Sequence, residues 1–240
     1  MLIGRCVQQN FLKEPVSERF QLSWRVFCLP FPEPVRYAAP VKSGPRDQYM
    51  TVNKTDIINA AAGVFSKEGY LTPTVDQLSQ AAGISKMTLY RHFRDKETLI
   101  IATLRNRQDF FLQEIRSLVA AEQTPRARLY AVFRFYEQWF ASPDFYGCMF
   151  SKAVNEYGRT LQDVMLITAE FKHEMCRMFA DILRAVLKPE PAERCACITM
   201  MLIDGAIAAA QAAEVNSEYP PAITAWQAVK AVIFSEGGEI

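Results

Sequence analysis

Between Gly83 and Leu99 the chain reads GISKMTLYRHFRDKETL. Met87, Tyr90, Arg91 and Arg94 recur there at i, i+3, i+4 and i+7, which is one stripe of a helix. Leu89 and Phe93, four apart, occupy the other side. An outward stripe of this kind can hydrogen-bond to nucleic acid. An arginine forks onto guanine or clamps a phosphate, and a tyrosine hydroxyl donates to a phosphate oxygen. Lys86, in the first turn, stands where an inserted helix meets base edges. Asp95-Lys96 then opens another helix, where free backbone amides and the helix dipole favour an anion, so Lys96 reads as a phosphate clamp. Taken alone, YRHFR reads as a solvated charged face, and the flanking elements decide otherwise.

Those elements are short and well punctuated. Ile57, Ile58, Ala61, Val64 and Phe65 predict an amphipathic helix that stops at Gly69. Thr74 and Gln77 form a capping box for a second helix, which Gly83 ends. Ser85 caps the third, carrying Leu89 and Phe93, and Asp95 the fourth, running through Leu99, Ile100, Thr103 and Leu104. The second and third, joined by AAGIS, have the form of a helix-turn-helix, one face holding the unit together and the other free to meet DNA.

The run TVDQLSQAAGISKMTLYRHFRDKETL resembles the DNA-binding domain of the tetracycline-repressor (TetR) family, whose signature is Leu-Tyr-x-His-Phe-x-x-Lys-Glu-x-Leu. IINAAAGVFSKEGY resembles that family's first helix. The resemblance covers about Lys54 to Leu104. It implies a homodimeric transcriptional regulator, usually a repressor, that is released from a palindromic double-stranded DNA operator by a small ligand. It carries DNA contacts onto Lys86, Met87, Thr88, Tyr90, Arg91, His92 and Lys96, with Thr74 and Val75 at a phosphate-touching helix start. His92 has two readings, a phosphate contact or local packing. Val75 offers no side-chain donor and Asp76 is acidic where some members carry arginine, which weakens the second helix's share. With Arg94 from the stripe, these are the candidate DNA-binding residues.

Beyond Leu104 the pattern stays helical: an all-α chain with a small three-helix head (residues 50–100) and a ligand-sensing and dimerisation bundle (101–240). Pro125 opens a helix through Phe140, a short piece follows from about Cys148 to Glu156, and a long helix runs from about Thr160 to Leu187. KPEPAE breaks the chain before two more helices. Reading two half-sites about 34–36 Å apart requires a dimer. The expected dimer surface joins the small residues Gly205 to Ala213 to an apolar stripe of Trp226, Val229, Val232 and Ile233. Phe133, Tyr136, Trp139 and Phe140 on one helix, with Phe171, Met175 and Met178 on another, could line an apolar pocket or be ordinary core. Cys148 borders that pocket, and Glu170, His173 and Glu174 are its polar candidates. FYGCMF resembles a Gly-Cys-x-Phe turn in one branch of the family.

Composition sets the outer limits. A formal charge of +1 over 240 residues announces no nucleic-acid partner by itself, so local clustering carries that reading. Six cysteines without paired spacing suggest reduced thiols, with Cys148 or Cys195 and Cys197 the candidates for redox sensing. Two histidines, no Gly-rich phosphate loop and no Ser-His-Asp set argue against an enzyme, a metal site or a cofactor. No apolar run reaches the roughly 18 residues that cross a bilayer, and no secretory leader opens the chain. No membrane partner is expected, and the cytoplasm is the expected location. Six prolines interrupt residues 1–49, which read as an extension without fixed structure ahead of a start at Met50. Control by a protein partner or by cysteine oxidation is the alternative to a ligand.

Overall fold

Each helix of the small N-terminal unit starts at a side chain that satisfies free helix-end amides. The computed structural model describes residues 52–212 and 218–240. The expectations for residues 1–49 and for Met50 lie outside them. Helix α1 (Lys54–Glu68) begins with a reciprocal box: Asn53 Oδ1 accepts from Asp56 N–H at 2.9 Å and Asp56 Oδ2 from Asn53 N–H at 3.2 Å. Helix α2 (Val75–Ala81) has the box expected of Thr74 and Gln77. Ser85 Oγ caps α3 (Lys86–His92) at 3.1 Å, and Asp95 Oδ1 caps α4 (Lys96–Ala120) at 2.8 Å. Gly83 turns the chain between α2 and α3 at φ +66°, where any side chain would be strained.

Five more helices follow: α5 (Pro125–Phe140), α6 (Met149–Tyr157), α7 (Gln162–Leu183), α8 (Pro189–Ala212) and α9 (Pro221–Ser235). No strand occurs among the described residues. Helix α4 runs unbroken from the head into the bundle, where it packs on α5 and α7. Helix α8 packs between α7 and α9.

Three expectations change. Helix α3 ends at His92 because Phe93 turns extended (φ −136°, ψ 121°), so Arg94 leaves the helical stripe. The Trp226, Val229 and Ile233 stripe is internal core: the Trp226 ring lies 5.4 Å from both Tyr130 and Phe133 of α5. Finally, α8 is long and apolar enough by composition to cross a membrane. Thr199 and Asp204 interrupt it, so no unbroken run reveals this. Its Cys195, Ala196, Ile203 and Ile207 are buried in the bundle.

The outward faces of α8 and α9 carry exposed apolar and small residues among polar ones. Met201, Gly205 and Ala208 are exposed on α8, and Ala231 and Phe234 on α9, Phe234 at 75%.

Candidate nucleic-acid interface and core cavity

The head is held by a small, dry core. Ile57 and Phe65 of α1, Leu78 of α2, Leu89 of α3 and Leu99 of α4, with Phe93, are all closed to solvent. The Lys54 ammonium sits 5.2 Å from the Phe93 ring centroid, tying α1 over the end of α3. With one side of α3 fixed, its other side faces out. Met87 is 79% exposed and Tyr90 42%, with Arg91 exposed beside them.

The remaining candidates divide by how much of their hydrogen-bonding capacity is already used. Lys86 Nζ pairs with Asp76 of α2 at 3.1 Å. Thr88 shares a hydroxyl contact of 2.9 Å with Ser85. Thr74 is exposed, its hydroxyl donating to Gln77 Oε1 at 3.0 Å, and Val75 is half-buried. His92 is half-buried at the last turn of α3. Arg94 projects into solvent from the α3–α4 turn and pairs with Asp95 at 2.9 Å. Lys96, at the first position of α4, donates to the Leu71 carbonyl at 3.0 Å. Partial burial pushes its ammonium below the usual lysine range, with Glu97 and Glu156 opposing that shift.

Helix α6 ties the head to the bundle. Lys152 Nζ donates to Ser66 O of α1 at 2.6 Å. The Glu156 carboxylate accepts from the backbone N–H groups of Tyr70 (2.8 Å) and Leu71 (2.6 Å) in the α1–α2 connection. Gly69, at φ +81°, makes this approach feasible: a Cβ there would meet Glu156 Oε1 at 2.5 Å. Tyr70, wholly buried, donates its phenol to Met149 O at 3.1 Å.

The other end of α6 borders a cavity of about 20 Å³ between α4, α5, α7 and α8, room for about one water. Five rings wall it: Phe111, Tyr136, Trp139, Phe150 and Phe171. Cys148, whose Sγ caps α6 by accepting from Ser151 N–H at 3.4 Å, and Met149 close one side. Met200 and Ile207 of α8 close another. The polar wall is Arg107, with its guanidinium carbon 4.3 Å from the Phe111 centroid, and an ion pair of Lys172 with Asp204. Burial, with Cys148 and Asp204 adding to it, drives the Tyr136 phenol far above the ordinary tyrosine range, so it remains a neutral donor.

Of the residues expected at a pocket, Tyr136, Trp139, Phe171 and Cys148 line this one. Phe133 faces α9 instead, because its ring packs on Trp226. Phe140 packs at a tilt on Phe145, centroids 5.0 Å apart. Met175 is buried core that does not reach the cavity wall. His173 is exposed, and Glu174 pairs with Arg116 and Arg177 on an outer groove. Glu170 is held outside by Arg105. Sequence reasoning missed Arg107, Lys172 and Asp204. The signal for the last was visible: one carboxylate inside the apolar run MMLIDGAIAAA demands a cation opposite. Cys176 of α7 and Cys195 of α8 are poor nucleophiles, Cys176 being pushed up to about 11 by burial and by Cys197, and Cys195 raised by burial.

Comparison with known proteins agrees with this geometry. Residues 57–103 match the family described as bacterial regulatory proteins, tetR family. The chain is 37% identical over 73 residues to the HTH-type transcriptional regulator HbdR of Aromatoleum sp. (strain CIB), covering 30% of this chain and 32% of that protein. It is 34% identical over 79 residues to the HTH-type transcriptional repressor KstR2 of Rhodococcus jostii, covering 33% of this chain and 39% of that one. The match thus spans about a third of these relatives' length. A TetR-family transcriptional regulator from Streptomyces coelicolor has the same fold, with a TM-score of 0.68 at 24% identity over 76% of this chain and 88% of that one.

Proposed function

We propose that this chain, whose residues 57–103 match the tetR family of bacterial regulatory proteins, is a homodimeric, sequence-specific regulator of transcription acting in the cytoplasm. We read it as a repressor that a small effector releases from a palindromic operator. The carrying observation is the exposed stripe of Met87, Tyr90 and Arg91 on α3, whose opposite side is locked by Leu89 and Phe93. In the complex, α3 enters the major groove with Arg91 on a base edge or phosphate and Tyr90 on a phosphate oxygen. Lys96 turns part of its donor capacity from Leu71 to a phosphate at the start of α4. Arg94, Thr74, Val75, Thr88 and His92 contact the backbone around them. The exposed face of α8 and α9 pairs with its copy in a second subunit, so that two heads bridge successive groove faces.

The effector is read as occupying the cavity at α6. Its wall is mechanically joined to the head, because Met149 both lines the cavity and receives the Tyr70 phenol. A guest that moves the start of α6 therefore pulls on the α1–α2 connection through Tyr70, Glu156 and Lys152. Helix α4 carries the remaining strain. The effector must bind the released state more tightly than the operator-bound one, since only differential affinity shifts such an equilibrium. The small size of the cavity favours a second reading, in which a protein partner rather than a small molecule shifts the head.

The test is binding to DNA upstream of the protein's own gene across a salt series. Lys96→Ala is expected to flatten the salt slope by about one unit, and Arg91→Ala to relax preference at one base position by about 1–3 kcal/mol. Binding only at the non-specific level for both wild type and variants, on that DNA and on selected random sequences, sinks the operator reading.

A further inference from the structure

Tyr136 holds a buried donor with nothing to receive it. The residue is 2% exposed, and its hydroxyl makes no hydrogen bond among the described residues. Leaving a buried donor unpaired costs about 1–3 kcal/mol. Burial keeps the phenol protonated, so a hydrogen is there to donate. The cavity that Tyr136 lines is where an acceptor can stand.

Cys148 borders the same space, near enough to Tyr136 to bear on its charge. Its sulfur is the N-cap of α6 and accepts from Ser151 N–H at 3.4 Å. A sulfur in that position faces the free amides of a helix start, partners that a thiolate takes in place of water. The thiol is half-buried rather than sealed. Lys172 and Asp204 on the same wall are 34% and 31% exposed, so this side of the cavity opens toward solvent. Those two charges are paired with each other, and Arg107 is engaged as well. The wall therefore selects no charge on a guest.

An unspent donor, a reachable nucleophile and apolar rings around both suit a small neutral molecule. It needs a carbonyl oxygen and a carbon that a thiolate attacks. We propose that the effector is a small α,β-unsaturated carbonyl compound that alkylates Cys148, with the Tyr136 hydroxyl holding its carbonyl oxygen. This rests on the effector reading above and names the effector's chemical class. The sulfur bonds to the β-carbon, and the C=C π pair moves toward the carbonyl oxygen as an enolate. Tyr136 donates to that oxygen as its charge builds. A proton equal to the one lost from the thiol returns at the α-carbon, so the addition is redox-neutral and the product is a thioether. At about 20 Å³ the cavity takes little before a wall moves, and a short electrophile tethered to the sulfur demands the least. The adduct crowds the sulfur that caps Ser151 N–H. The next residue, Met149, is the one that receives the Tyr70 phenol, so the disturbance starts where α6 holds the head.

The experiment uses the full chain and three reagents. Methyl vinyl ketone is the electrophile, butan-2-one its unreactive analogue, and methyl methanethiosulfonate a thiol reagent without a carbonyl. Peptide mass mapping follows each of the six cysteines, and operator binding is read in parallel. Methyl vinyl ketone is expected to label Cys148 at least about tenfold faster than the exposed Cys197, and to release the operator as label accumulates. Cys148→Ser, which keeps a capping oxygen, is expected to bind the operator and ignore the reagent. Tyr136→Phe removes only the unpaired hydroxyl. It is expected to slow methyl vinyl ketone at Cys148 at least about fivefold and to leave the thiosulfonate rate unchanged. Labelling of Cys148 no faster than Cys197, or a Tyr136→Phe effect that is absent or equal for both reagents, overturns the class. Release by butan-2-one, or by methyl vinyl ketone acting on Cys148→Ser, overturns the class while keeping the effector reading. Selective labelling of Cys148 that leaves operator affinity unchanged keeps the reactive site and ends the effector reading.

Discussion

The phenol of Tyr70 donates to the carbonyl oxygen of Met149 across 3.1 Å, and neither residue is open to water. One belongs to the α1–α2 connection of the head and the other is the first residue of α6. This buried bond spans the boundary between the N-terminal unit and the bundle, as do those of Glu156 and Lys152. Removing it with Tyr70→Phe takes away one of two bonds to a carbonyl that, as the first of α6, keeps its helical partner, at a cost of about 0.5–1.5 kcal/mol. Urea unfolding is expected to show that loss in the midpoint with an unchanged slope; a midpoint equal to wild type would mean that the bond contributes nothing.

Glu156 secures the same boundary from the other end of α6. Its carboxylate holds two backbone amides of the connection. Glu156→Gln weakens that grip while leaving α3 and its outward side chains alone. Operator affinity without effector is expected to stay within about threefold of wild type. The effector's effect on that affinity, typically 5–150-fold in coupled proteins, is expected to shrink several-fold. Titrations with and without effector decide it, and equal coupling in both proteins would remove α6 from the transmission route.

Phe234 gives the sharpest test of the dimer. Because it is 75% exposed, Phe234→Glu has no core to disturb, and circular dichroism is expected to match wild type. A buried, unpaired carboxylate at a self-complementary interface is repeated twice by symmetry. Sedimentation velocity is expected to show monomers at micromolar concentration, with operator affinity falling by at least a hundredfold. A dimer that survives this change is built on another face.

Asp95 sets an acid limit on the head. The Thr98 hydroxyl, then the Thr98 amide, then Arg94 hold its carboxyl at about 2, below the usual range of an aspartate. The folded state thus favours the charged form. The resulting stability is fully present above about pH 4 and is lost as the pH falls toward about 2. Thermal melts between those limits are expected to fall more steeply for wild type than for Asp95→Asn. Parallel curves would show that the cap is indifferent to the charge.

The head was almost wholly legible in the sequence, because its elements are local. Thr74 with Gln77, Ser85 and Asp95 each bond within three residues, and each capped where their spacing said. Arg94 was misplaced by one local event, the extended turn at Phe93, which no periodicity announces. In the bundle the information is non-local. Trp226 and Phe234 share one helix and similar chemistry, and only the position of α5 decides that the first is core and the second surface. Likewise Lys172 reads as an ordinary solvated lysine until α8 brings Asp204 to it.

The pairing of Lys86 with Asp76 has a consequence for how this protein would search a chromosome. Both side chains are largely solvated, so the bond itself contributes little. What it changes is exchange. A phosphate that attracts Lys86 must first replace a carboxylate that remains close by and repels the newcomer. On arbitrary DNA, where phosphate is all that is offered, that competition blunts attachment and shortens each visit. At a matching site, the base contacts proposed for Arg91 and its neighbours would outweigh the same repulsion. An acidic residue on the supporting helix would thus weaken binding everywhere by a similar amount, and residence would be long only where the sequence repays it.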